Sequence, residues 1–279
     1  MLFAFRIGLA TLVLFLAFIS HAMAEPVVTD IPEVHPAQVD PDVLATIFSG
    51  AETLHYSVSW SGGVKIGDIF MEIKPEKSKK DAYNISAKVK DYGPLKVIYP
   101  IDDTFRCFVS GPMKLPYKYE IHQKEGYTSE TLRLTLYDQQ SHFVTFQKNH
   151  GPQEQTDFEG TVYNEFASFI ISRALLFKEE EAIVVPTFAD NKRHEVHVSL
   201  ASKEKRNTLF GEKMTLKIHP KMQFKGLYEK SGDTILWLTD DKCRVPVEIH
   251  SKIVVGSLVA ELVGYSNPAC KELEQQRVR

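Results

Sequence analysis

Thr53-Leu54-His55-Tyr56-Ser57-Val58-Ser59-Trp60 alternates apolar and polar residues along its length. Leu54, Tyr56, Val58 and Trp60 fall on one face of an extended chain, and Thr53, His55, Ser57 and Ser59 on the other. A period of two is the mark of a half-buried strand. Ser61-Gly62-Gly63 supplies a turn, and Val64 to Lys74 reads as the returning strand. Its apolar parity shifts from Val64 and Ile66 to Ile69, Met71 and Ile73, which predicts a bulge at Gly67.

The same rhythm continues on both sides of a single interruption. Tyr83, Ile85, Ala87 and Val89 form one face, followed by Phe105, Cys107 and Val109, then Tyr117, Tyr119 and Ile121. Leu132, Leu134 and Leu136 come next, then Val144 and Phe146. Later runs are Ile183 and Val185, Val196 to Leu200, Met214 to Ile218, Ile235 with Trp237, Val245 to Ile249, and Leu258 to Leu262. Gly, Pro, Asn and Asp separate the runs. Pro246 within its run predicts an edge strand or a bulge. Thr161 to Phe177 has a period near 3.6 and reads as the one packed helix, capped by Thr161. The expected fold is mainly β: roughly twelve strands in a curved antiparallel sheet or open barrel, with one packed α-helix.

Met1 to Ala24 has the layout of a secretory signal peptide. One base, Arg6, precedes a 13-residue apolar run from Ile7 to Ile19, and Ala22-Met23-Ala24 sets the cut before Glu25. The run is shorter than the roughly 20 residues a spanning helix needs, and no cysteine follows the cut for lipid attachment. The expectation is a periplasmic or secreted chain with no transmembrane segment. Residues 25–49 carry Pro26, Pro32, Pro36 and Pro41 and read as an extended tether. Residues 50–265 then form a single β-rich domain, and 266–279 a polar tail.

Without residues 1–24 the chain has 33 − 1 = 32 bases against 36 acids, a net charge of −4. That excludes the basic face of a nucleic-acid binder. The odd cysteine count leaves at least one of Cys107, Cys243 and Cys270 unpaired. Cys107 reads as a small buried hydrophobe. An exported chain permits a Cys243–Cys270 bridge, closing a loop of about 28 residues; three reduced thiols are the alternative.

No metalloprotease, phosphate-loop, C-x-x-C or nucleophile-elbow pattern is present. His194 and His197 fall on opposite faces of a strand and cannot share a metal. Asp240-Asp241 reads as a hairpin turn in which Asp bonds nearby amides, with acid–base or calcium chemistry as the competing reading. No metal, cofactor or catalytic residue is expected. Trp60, Phe105, Leu134, Phe169 and Trp237 are candidate walls of an apolar ligand cavity, or ordinary core.

Three groups of residues carry a resemblance. Gly50-x-Glu52-x-Leu54-x-Tyr56 with Val58-Ser59-Trp60 and Gly67 is the first, and Tyr99-Pro100-Ile101-Asp102-Asp103-x-Phe105 with Leu115-Pro116 the second. The third is Leu236-Trp237-Leu238-Thr239-Asp240-Asp241 with Arg244-x-Pro246-Val247 and Gly256-Ser257-Leu258. Together they resemble the bacterial exported family called domain of unknown function 3108, from about Gly50 to Tyr265. The chain departs from the pattern at Asn164-Glu165-Phe166-Ala167-Ser168 and at Thr208-Leu209-Phe210-Gly211. The resemblance implies a curved sheet around a helix, similar to periplasmic lipoprotein carriers, and brings no activity with it. Two non-catalytic functions fit these expectations, with a hydrolase using Asp240, Asp241 or Glu165 as a third reading. One is a non-catalytic envelope protein holding a lipid or acyl chain between sheet and helix. The other is an assembly module docking an envelope protein through a strand edge near Pro246.

Overall fold

The structure is a computed structural model that describes residues 33–93, 96–97, 100–189, 191–223, 234–252 and 256–274. The expected signal peptide with its Ala24–Glu25 cut, the start of the expected tether and the end of the expected polar tail lie outside these residues. The first half of the sheet is built from β2 (Glu52–Trp60), β3 (Val64–Pro75), β4 (Ala82–Asp91), β5 (Asp102–Ser110), β6 (Leu115–Glu125), β7 (Ser129–Asp138), β8 (Phe143–Lys148) and β9 (Gln153–Asp157). The second half is β11 (Glu181–Ala189), β12 (Lys192–Thr208), β13 (Gly211–Gln223), β14 (Thr234–Thr239), β15 (Pro246–Lys252) and β16 (Ser257–Ser266). β16 pairs with β2 and joins the halves, with β1 (Glu33–Pro36) and β9 at the two ends of the path. β10 (Tyr163–Asn164) pairs off the path with β11. The fold is mainly β, an open curved sheet with few helices.

Among the described residues the sheet has sixteen strands, more than the roughly twelve read from the sequence. β9 escaped that reading because Gln153-Glu154-Gln155-Thr156-Asp157 has no apolar residue to alternate. It is an edge strand with one neighbour, so neither face asks for one.

α2 (Glu165–Ser172) lies against β5, β10 and β11. It is shorter than the predicted Thr161–Phe177 because Tyr163 and Asn164 remain extended, paired with Thr187 and Phe188. Asn164, not Thr161, is the cap: its side chain accepts from the Ala167 amide at 2.7 Å. The sheet face toward α2, called inner here, carries the core residues Leu54, Tyr56, Ile73, Ile85, Cys107, Val109 and Tyr119.

Two segments expected to be loose belong to the core. Asp40 caps α1 (Pro41–Ile47), accepting from the amides of Asp42 and Val43, and Pro41 occupies the first helical position. Proline suits that position because the missing N–H would have no helical partner. Val43, Leu44, Ile47 and Phe48 are buried, so this proline marks a helix start and not a tether. At the other end Cys270 is disulfide-bonded to Cys243, and Leu273 of α3 (Lys271–Glu274) is buried.

Gly67 sits at the bulge where β2 and β3 change register between Val58 and Ser59. A Cβ there would meet the Lys90 carbonyl oxygen at 2.5 Å. Pro246 also lies at a bulge, but on β15 between β14 and β16, so it is not on an edge.

Candidate functional site

The candidate ligand-lining residues do not converge. Phe105 points inward, its ring centroid 6.4 Å from that of Phe166, and Phe169 packs against the core from α2. Trp60 stands exposed at the end of β2. Leu134 faces outward, because Tyr119 pairs with Thr135 and that row puts Thr135 and Tyr137 in the core. Leu132 and Leu136, of the same alternating run, share this outward face. The pairing partners decide the face here.

Trp237 also faces outward, between inward Leu236 and Leu238. Its indole nitrogen donates to Glu204 Oε1 at 2.6 Å, and the Arg206 guanidinium lies 4.4 Å from the ring centroid. His250 packs edge-on at 4.7 Å and reaches Glu248 at 2.5 Å, and Glu248 also pairs with Arg206. This tryptophan is sealed by charged partners and offers no apolar wall.

Between sheet and helix lies a recess of ≈ 170 Å³, bordered by Tyr119, Ile121, Tyr137, Phe146 and Phe188 together with Arg133, Thr135, Glu165 and Asn191. Ligand pockets usually run from about 300 Å³ upward, well above this volume. Burial, with the Glu165 charge adding to it, holds the Tyr119 and Tyr137 phenols well above their ordinary range. Both hydroxyls stay protonated at neutral pH.

The larger clefts lie on the outer face. One, of ≈ 590 Å³, crosses β16 to β5 past His55, Phe70, Lys88 and Arg106. Another, of ≈ 380 Å³, crosses β5 to β8 past Arg106, Glu120, Leu132 and Leu134. Thr104 and Arg106 border both. Register explains the trough. One cross-strand row runs Thr53, Glu72, Ser86, Arg106, Glu120 and Leu134. The adjacent row runs His55, Phe70, Lys88, Thr104, His122 and Leu132. The small residues Thr53, Ser86 and Thr104 lower the floor between bulkier neighbours.

Neighbouring charges are committed: Lys88 to Asp102 at 3.2 Å, Glu120 to Lys118 at 2.7 Å, His122 to Glu130 at 2.6 Å. Arg106 is exposed and joins no ion pair among the described residues. Phe70 is exposed and stacks on His55 with centroids 4.3 Å apart. The trough therefore joins apolar surface at both ends to a guanidinium at its middle. No local pattern in the sequence marks it, because its two rows share a face only through pairing across six strands, β2 to β7.

Asp240 and Asp241 form the β14–β15 turn. Asp241 accepts from Thr239 Oγ1 and from the amides of Cys243 and Arg244, and Asp240 pairs with Lys203 at 2.9 Å. Among the described residues no group of three or more metal-ligating side chains stands together. No described helix is long and apolar enough to cross a membrane.

The chain belongs to the family described as "Protein of unknown function (DUF3108)", whose model matches residues 55–263. Among curated proteins none matches. The fold is similar to a solved β-barrel-like protein of domain of unknown function DUF1849 from Brucella abortus, at a TM-score of 0.55 and 8% identity. That likeness covers 78% of this chain and 98% of the other, and at this identity it speaks to fold alone. Neither relative brings catalytic residues to this chain.

Proposed function

We propose that this protein is an exported, non-catalytic envelope protein that binds a lipid or acyl chain in the outer trough around Arg106. The observation that carries the reading is the sharing of Thr104 and Arg106 by two clefts with apolar side chains beyond them. Phe70 on one side and Leu132 with Leu134 on the other would shed water onto a hydrocarbon chain, at about 25 cal/mol per Å² of apolar surface covered. Arg106 would pair bidentately with a carboxylate or phosphate head. The outer clefts, ≈ 590 and ≈ 380 Å³, exceed the ≈ 170 Å³ recess between sheet and helix, which favours this face. Export is supported by the leader-like start and by a disulfide, which persists in oxidising compartments.

Native mass spectrometry with organic extraction, on protein purified from the periplasm of an expressing cell, tests the reading. The expected result is a stoichiometric amphiphile adduct that Arg106→Glu loses. A bare mass for the unsubstituted protein contradicts it.

A second reading, an assembly module, draws on a different element from the one expected. Pro246 is interior, but β9 presents a polar, largely exposed edge at Gln153–Asp157 to a partner strand. Cross-linking in the envelope through β9 would favour it.

A further inference from the structure

One end of the sheet carries a concentration of exposed apolar side chains. The β2–β3 turn presents Trp60 and Val64, the β4–β5 connection Tyr92 and Val97, and the β6–β7 turn Tyr127. Val97 and Tyr127 are each 73% exposed, the highest values among the exposed large apolar side chains of the described residues. At the opposite end of these strands the turns 76–81, 111–114 and 139–142 carry Met113 alone.

The three loops form one continuous rim. The Tyr92 amide donates to the Ile66 carbonyl at 2.7 Å, and Lys65 lies 4.7 Å over the Tyr92 ring. The Gly126 amide donates to the Pro100 carbonyl at 2.8 Å, and the Tyr127 hydroxyl donates to the Val97 carbonyl. Between the loops is a recess of ≈ 270 Å³ bordered by Lys90, Lys96 and Lys124 and by the carboxylates of Asp91 and Asp102, the latter paired with Lys88 at 3.2 Å. Lys90 and Lys96 join no ion pair among the described residues, whereas Lys124 reaches Glu130 at 3.4 Å.

We propose that this rim docks on an anionic lipid surface, with Trp60, Tyr92, Val97 and Tyr127 entering the headgroup layer and Lys90 and Lys96 meeting lipid phosphates. Tryptophan and tyrosine, apolar at one end and hydrogen-bonding at the other, favour that layer. Lysines beside them are drawn by the negative surface potential. A free soluble anion would use the lysines but leave the exposed aromatic and valine side chains without a role. The rim is separate from the Arg106 trough, so docking stands or falls independently of ligand binding there.

The test is co-sedimentation of the folded domain with vesicles of phosphatidylcholine and phosphatidylglycerol at 3:1, against pure phosphatidylcholine. Binding should require phosphatidylglycerol and weaken as salt rises. Tyr127→Ser with Val97→Ser, and separately Lys90→Glu with Lys96→Glu, should each weaken it about tenfold or more at unchanged melting temperature. Arg106→Glu should dock as the unsubstituted protein does. Failure to bind the anionic vesicles overturns the proposal, and so does undiminished binding by either rim variant. Full displacement by millimolar inorganic phosphate, with the apolar variant binding normally, marks a free-anion recess and also overturns it.

Discussion

Arg173 and Glu52, 121 residues apart in sequence, meet as a fully buried bidentate ion pair, with Nη1 2.6 Å from Oε2 and Nη2 2.8 Å from Oε1. Arg173 closes the C-terminal end of α2, and Glu52 opens β2. Two further guanidinium hydrogens, on Nε and Nη2, go to the carbonyls of Arg244 at 3.0 Å and Cys243 at 3.2 Å. Glu52 also accepts from the Tyr265 hydroxyl at 3.2 Å and from Asn267 at 3.4 Å. One pair therefore ties the helix, both halves of the sheet and the disulfide region together. Because its polar atoms are satisfied, the cost of desolvating the charges is offset.

Removing one partner leaves a buried charge without its counter-ion. Glu52→Ala or Arg173→Ala should each cost about 3–5 kcal/mol in urea unfolding. Glu52→Leu combined with Arg173→Met should cost clearly less than the sum of the two. A single-substitution cost under about 1 kcal/mol would show that the pair does not anchor the helix.

Burial, only partly countered by the hydrogen bond from Asn164, pushes the Cys107 thiol up to about 12. Native protein at pH 8 should resist alkylation. Denatured, unreduced protein should take one label and reduced protein three, read by intact mass. Loss of the bridge through Cys270→Ala should cost about 3 kcal/mol, given the 27-residue separation it closes. Rapid native labelling of Cys107, or three labels without reductant, would contradict the arrangement.

Gly67→Ala places a methyl against the Lys90 carbonyl, a backbone atom with no easy retreat. Overpacking of this kind costs about 1–3 kcal/mol, whereas Gly50→Ala, with nothing within 4 Å, should be near neutral. Equal melting temperatures for the two variants would argue against the bulge as described.

The hydrogen bond from the Trp237 indole holds the Glu204 carboxyl below its usual range, against some desolvation, with Lys217 and Arg206 assisting. A depressed folded-state value means the stabilisation is present above the ordinary glutamate value of about 4.3 and is lost as pH falls through the folded value. In a Trp60→Phe, His250→Gln background, which removes the imidazole packed on the indole, Trp237 emission should therefore stay constant from pH 7 to about pH 5 and change only at about pH 4 or below. Glu204→Gln should abolish that transition. A midpoint above about 4.3, or persistence in Glu204→Gln, would contradict the contact.

Alternation from Thr53 to Trp60 was enough to read the β class, and Gly67 marked its own bulge, because both are local properties of an extended chain. Leu132, Leu134 and Leu136 lie on the outer face and Trp237 is buried there among charged partners, which alternation could not tell, since it says which residues share a face but not which face is covered. Only the rows from Tyr119 to Thr135 and from Lys217 to Trp237 decide that. β9 had no apolar signal to read, and Pro41 was read as a tether residue when it starts a helix. The Arg106 trough and the Glu52–Arg173 pair are assembled from distant strands, and neither leaves a local pattern in the sequence.

The central claim is that an amphiphile lies on the outer face of the sheet and not beneath α2. Photo-cross-linking with a diazirine-bearing fatty acid, followed by peptide mapping, tests it most directly. The account predicts saturable labels on β3, β5 and β7 around Phe70, Arg106 and Leu134, lost with Arg106→Glu. Labels at Phe105, Phe166 or Phe169, or no saturable label at all, would contradict it.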